Sequence, residues 1–110
     1  MLQTLPQLIA DYFQAKSHQN PDEVLACFAP NAVVHDTGED KTLTGHDQIR
    51  DWLTGTIAAY NLTTELIKTQ ENQGETIVTA LVSGDFPGSP IQFDYGFVVT
   101  NNKIDRLVIR

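Results

Sequence analysis

At 110 residues and 41% hydrophobic, the chain is long enough for one domain around one core, and no shift in composition marks a boundary, so 1–110 is read as a single domain. Seven Lys and Arg against fourteen Asp and Glu give a net charge of −7, which repels a phosphate backbone and an anionic bilayer alike and excludes nucleic acid and membrane as expected partners. The lone Cys27 forbids an internal disulfide, and without a basic and apolar leader or a run of membrane-spanning length the expected location is cytoplasmic.

In chain order, Leu2, Leu5, Leu8, Ile9, Tyr12 and Phe13 recur at three- and four-residue steps and predict a first amphipathic helix. Thr4 and Gln7 stand at capping-box spacing, with Pro6 in the first turn. Asn20-Pro21-Asp22-Glu23 is a second helix start, and Val24, Leu25 and Phe28 follow as its core side. Pro30-Asn31 ends that helix, 32–36 reads as a short β-branched strand finishing at Asp36, and the polar 37–41 reads as a turn. A third helix begins after Gly45, because Ile49, Trp52, Leu53 and Ile57 share one face. From Leu62 the period changes to two. Segments 62–69, 76–83, 91–100 and 104–109 then predict four strands of an antiparallel meander, divided by 72–74, 86–90 and Asn101-Asn102. Helices first and strands last make an α+β domain, with three N-terminal helices packed on one face of a mostly antiparallel sheet.

That element order resembles the nuclear transport factor 2-like superfamily over essentially the whole chain. Three local segments, 28–34 (Phe-Ala-Pro-Asn-Ala-Val-Val), 45–49 (Gly-His-Asp-Gln-Ile) and 84–90 (Gly-Asp-Phe-Pro-Gly-Ser-Pro), are similar to its SnoaL-like members. The resemblance implies a cystatin-like cone, in which a curved sheet and helices close around one pocket. Within the superfamily, the ketosteroid isomerase branch has a Tyr on the first helix, an Asp at the end of the first strand and a second Asp on a late strand; Tyr12, Asp36 and Asp94 fall in similar places. The resemblance then implies Asp36 as a general base on an apolar carbonyl compound, with Tyr12 and Asp94 as donors to the oxyanion. Trp52 falls where that branch has an aromatic pocket residue, and Val34, Phe13 and Val98 complete the expected pocket.

Each of these residues also has a simpler reading. Tyr12 fits an amphipathic core position, Asp36-Thr37-Gly38 is good turn chemistry, and Asp94 can lie on a wet sheet face. The row Phe93, Tyr95, Phe97 and Val99 alternates with Asp94, so if Asp94 faces the pocket the aromatic row faces away. A homodimer through the outer sheet face is expected on that assignment, with Ile77, Leu81 or Val108 extending the patch. On the opposite assignment the aromatic row is core and Asp94 is solvated. His35 points away from Asp36, and three scattered histidines give no metal-ligand spacing, so no metal and no cofactor are expected. The functional expectation is a small-molecule pocket protein for an apolar ligand, either a cofactor-free isomerase, dehydratase or cyclase, or a non-catalytic binding or dimerisation module.

Overall fold

A computed structural model describes residues 5–60 and 62–110, the segment 57–60 by its backbone alone. The Thr4 half of the capping box, Leu2 and the side chain of Ile57 therefore lie outside the described residues. The elements run α1 (Gln7–Ser17), α2 (Pro21–Leu25), β1 (Phe28–Asp36), β2 (Lys41–Thr44), α3 (Gly45–Tyr60), β3 (Thr63–Asn72), β4 (Glu75–Ser83), β5 (Ile91–Thr100) and β6 (Lys103–Ile109). This is the expected α+β order.

Two differences from the sequence reading concern strands. β1 starts at Phe28 and runs through Pro30-Asn31, because a register irregularity between Phe28 and Val33 absorbs residues that cannot pair regularly. Lys41–Thr44 forms β2, paired antiparallel with 33–36, in a stretch read as the end of a turn and the approach to a helix. Four residues at a sheet edge, alternating with nothing buried, leave little periodic signal.

The six strands form one sheet in the order β2-β1-β6-β5-β4-β3. All neighbours are antiparallel except β1 and β6, so the sheet is mixed. Two-residue turns set the hairpins: Gln73-Gly74 and Asn101-Asn102 all adopt positive φ, the geometry whose twist matches that of the flanking strands. Asn20 caps α2 by accepting the Asp22 N–H at 3.0 Å, as its spacing predicts. At α3, Gln48 reaches back to accept the Thr44 N–H at 2.9 Å.

Burial fixes which sheet face is inner. Val78, Ala80 and Val82 of β4, Tyr95 and Phe97 of β5, and Ile104, Leu107 and Ile109 of β6 join Ile9, Tyr12 and Phe13 of α1 in one core. Phe97 is fully buried, with its ring centroid 5.3 Å from Tyr12 and 5.8 Å from Phe13 in edge-to-face contact. The aromatic row of β5 therefore packs inward under α1. The outer-face assignment is overturned for Phe93, Tyr95 and Phe97, and with it the argument for a dimer built on that row. Three aromatic rings outweigh Gln92, Asp94 and Gly96 in apolar area, so hydrophobic burial selects their face. Val99 is 40% exposed because the register shifts between Val98 and Val99.

Candidate functional site

On the inner face, the register sets Asp36 beside Ile109 and Ile109 beside Tyr95. Asp36 and Tyr95 are thus two strands apart, roughly 10 Å at ordinary strand spacing, with their side chains on the same side. Above this row, between sheet and helices, lies a cavity of about 670 Å³. Its size is within the ~300–1,000 Å³ of ordinary ligand sites. Phe13 of α1, Trp52 of α3, Leu66 of β3, Val82 of β4 and Ile91 and Phe93 of β5 give it apolar walls.

Asp36 lines this cavity at the end of β1. The Gly38 and Glu39 N–H groups donate to its Oδ1 at 3.1 and 3.4 Å. Thr37 ties the same turn to β6, its N–H and Oγ1 donating to the Ile109 carbonyl at 3.0 and 2.6 Å. The carboxylate is therefore held by one oxygen, on a turn that is itself anchored to the sheet. Its charge acts on Tyr12, Lys16 and Tyr95. His35 points the other way and lies 2.9 Å from Thr42 Oγ1 through Nδ1, so the two neighbours form no dyad.

Lys16 also lines the cavity. Its Nζ lies 5.3 Å from the Tyr95 ring centroid and 5.5 Å from that of Tyr12. Among the described residues the ammonium has no hydrogen-bond or ion-pair partner. Burial lowers its pKa from 10.5 to about 8, against a smaller opposing effect of the Asp36 charge. Burial likewise pushes the Tyr95 phenol upward, with the Asp36 charge adding to it, so Tyr95 stays a neutral donor.

The site residues expected from the sequence divide. Asp36, Trp52 and Phe13 line the cavity together. Tyr12 does not: it is fully buried among Phe13, Phe28 and Phe97, its Oη has no hydrogen-bond partner among the described residues, and burial raises its pKa well above the ordinary value. Val34 is a core residue at 0% exposure outside the cavity lining. Asp94 is on the outer face, exposed, accepting a hydrogen bond from Thr79 Oγ1 at 2.7 Å. Val98 shares that face opposite Arg106. Both are corrections with one cause, since fixing the aromatic row inward turns every alternate residue outward.

The sequence reading missed Lys16 and assigned Tyr95 to the wrong face. A signal for Lys16 existed: Ile9, Tyr12, Phe13 and Lys16 stand at i, i+3, i+4 and i+7, so the half-buried lysine continues the line of the buried stripe of α1.

Comparison with known proteins agrees with this architecture. The family model for the SnoaL-like domain matches residues 9–107. A crystal structure of a candidate polyketide cyclase from Sinorhizobium meliloti superposes with a TM-score of 0.90 at 34% identity, covering 96% of this chain and 95% of that one. A hypothetical protein with a ketosteroid isomerase-like fold from Catenulispora acidiphila, solved with trimethylamine, gives 0.85 at 20% identity over 97% and 86%. A nuclear transport factor 2-like protein of unknown function from Cytophaga hutchinsonii gives 0.78 at 11% identity over 100% and 93%; these last two speak to the fold alone. No curated protein matches the sequence.

Proposed function

The chain belongs to the SnoaL-like domain family, and we propose on that premise that it is a small-molecule pocket protein performing cofactor-free proton transfer on an apolar carbonyl compound, with Asp36 as the base. The observation that carries this reading is a carboxylate lining an otherwise largely apolar cavity of ligand size. Asp36 takes a proton from the carbon beside the carbonyl, the C–H electron pair forms the enolate double bond, and the carbonyl π pair moves onto oxygen. Returning the proton to another carbon gives isomerisation; attack of the enolate carbon on a second carbonyl gives cyclisation. The relationship to the Sinorhizobium meliloti candidate cyclase supports this class of chemistry. Asp94 and Tyr12 have no part in it, for neither lines the cavity.

A second reading, a binding module without catalysis, draws on one feature of the same residue. Two backbone N–H groups already occupy Asp36 Oδ1, as they do in a purely structural turn. Proton exchange separates the two readings. Incubated with β-tetralone in deuterium oxide, the protein is expected to accelerate deuterium uptake at the α-carbon above buffer, and Asp36→Asn to reduce it to the buffer rate. Uptake at the buffer rate by a wild type that binds the ketone supports the module.

A further inference from the structure

Enolate formation puts negative charge on the substrate oxygen, and an apolar cavity without a donor makes that charge costly. The donors expected from the sequence are not available. Asp94 lies on the outer face and Tyr12 Oη is sealed among aromatic rings. Other titratable groups at the cavity are Asp36 and Glu39, both acidic, and Tyr95. Glu39 is engaged by Lys41 at 3.2 Å. Lys16 is the cation among the cavity residues.

Lys16 is half-buried, and its ammonium lies at the cavity over two aromatic rings instead of against a carboxylate, so it is only partly hydrated and its charge is only partly compensated. Among the described residues nothing repays the cost fully: the rings of Tyr12 and Tyr95 offer a cation–π contact, and Asp36 acts from a distance beyond an ion pair. A ligand oxygen carrying negative charge supplies the missing partner. From its position against Tyr95, two strands from Asp36, Lys16 can meet the oxygen end of a flat ligand whose acidic carbon lies toward the carboxylate.

We propose that Lys16 is the oxyanion-receiving residue of this cavity, and that the ligands accepted are flat, apolar molecules with one ionisable oxygen, an enol or a phenol. This rests on the proton-transfer reading for its catalytic meaning, whereas the ligand preference holds on its own. Tyr95 assists as a neutral donor to the same oxygen.

The probe is para-nitrophenol, whose visible band distinguishes phenolate from phenol, added about one pH unit below its own pKa, where ~10% of the free probe is ionised. Bound to wild type, the ionised fraction is expected to rise at least about five-fold. Lys16→Met, which keeps the stem and removes the charge, binds the phenol without that rise. Lys16→Arg, which restores a cation, recovers most of it. Asp36→Asn retains or strengthens phenolate binding by removing a like charge while losing deuterium exchange, so failure of the proton-transfer reading is visible separately. A wild type that binds only neutral phenol, or binds none, overturns the inference, as does a Lys16→Met variant that ionises the probe as well as wild type.

Discussion

Among single residues, Lys16 is where function and stability part company. Its pKa falls from 10.5 to about 8 on folding, which at ~1.36 kcal/mol per pH unit is a cost of about 3 kcal/mol carried by the folded state. Below pH 8 the group is charged in both states and the whole penalty is present. Between pH 8 and 10.5 the unfolded chain binds more protons than the folded one, so stability rises with pH as the penalty is relieved. Asp36, Tyr12 and Tyr95 are the groups that couple to it or touch it, and the upward shift of both phenols confines a clean test to below about pH 10. Lys16→Met is therefore expected to be more stable than wild type at pH 7, by on the order of 1–3 kcal/mol once the lost cation–π contact is subtracted. Urea unfolding at pH 7 and pH 9 checks this: the gain shrinks at the higher pH, whereas a lysine that only supports the fold gives a loss at both.

Asp36 carries the opposite expectation. Asn keeps the Oδ1 acceptor used by Gly38 and Glu39, so Asp36→Asn leaves the fold within about 0.5 kcal/mol, and Asp36→Ala costs about 1 kcal/mol more through the turn. Circular dichroism melts of the two variants measure the difference. Asp36 was readable through the resemblance to the ketosteroid isomerase branch, whereas Asp36-Thr37-Gly38 by itself reads as turn chemistry. Lys16 sat in plain view on the α1 stripe, but a lysine at an apolar position reads as an amphipathic edge until burial is known.

For the elements, β5 decides the most. Its alternation was legible, its facing was not, because period two fixes which residues share a side and leaves open which side is inner. What settles it is packing from a distant element: Tyr12 and Phe13 of α1 close over Phe97 and Tyr95, pairs separated by more than eighty residues. Phe97→Glu places an unpaired carboxylate at a fully buried site and is expected to leave no folded protein, seen as loss of near-ultraviolet dichroism and of dispersed amide signals. A folded, monomeric variant would instead revive the outward aromatic row. Across the same strand, Asp94→Asn keeps an acceptor for Thr79, which is 2% exposed, and costs under about 1 kcal/mol; Asp94→Ala orphans that hydroxyl and costs about 1–3 kcal/mol. β2 went unread for a different reason, since four edge residues bury no face.

For the whole molecule, the α+β order and the cone-like class were legible from the change of period near Leu62 and from sequence likeness, both of which average over many residues. The contents of the cavity were not, since they depend on which of two faces each strand turns inward. Extents of 34 × 33 × 25 Å place a net charge of −7 close to every approach to the cavity. An anionic ligand must cross that repulsion before meeting Lys16. Its association is expected to quicken as salt shortens the Debye length from ~30 Å at 0.01 M to ~8 Å at 0.15 M, the reverse of a site fed by a basic surface. Stopped-flow binding of para-nitrophenolate over that range measures the sign.

Of the two family-like carboxylates, Asp36 lines the cavity and Asp94 does not, and the proposed proton transfer needs only the first. The direct measurement is α-deuteration of β-tetralone by Asp36→Asn and Asp94→Asn side by side, each first shown to be folded. The buffer rate is expected for Asp36→Asn and the wild-type rate for Asp94→Asn. Equal loss in both variants, or loss in Asp94→Asn alone, contradicts the proposal.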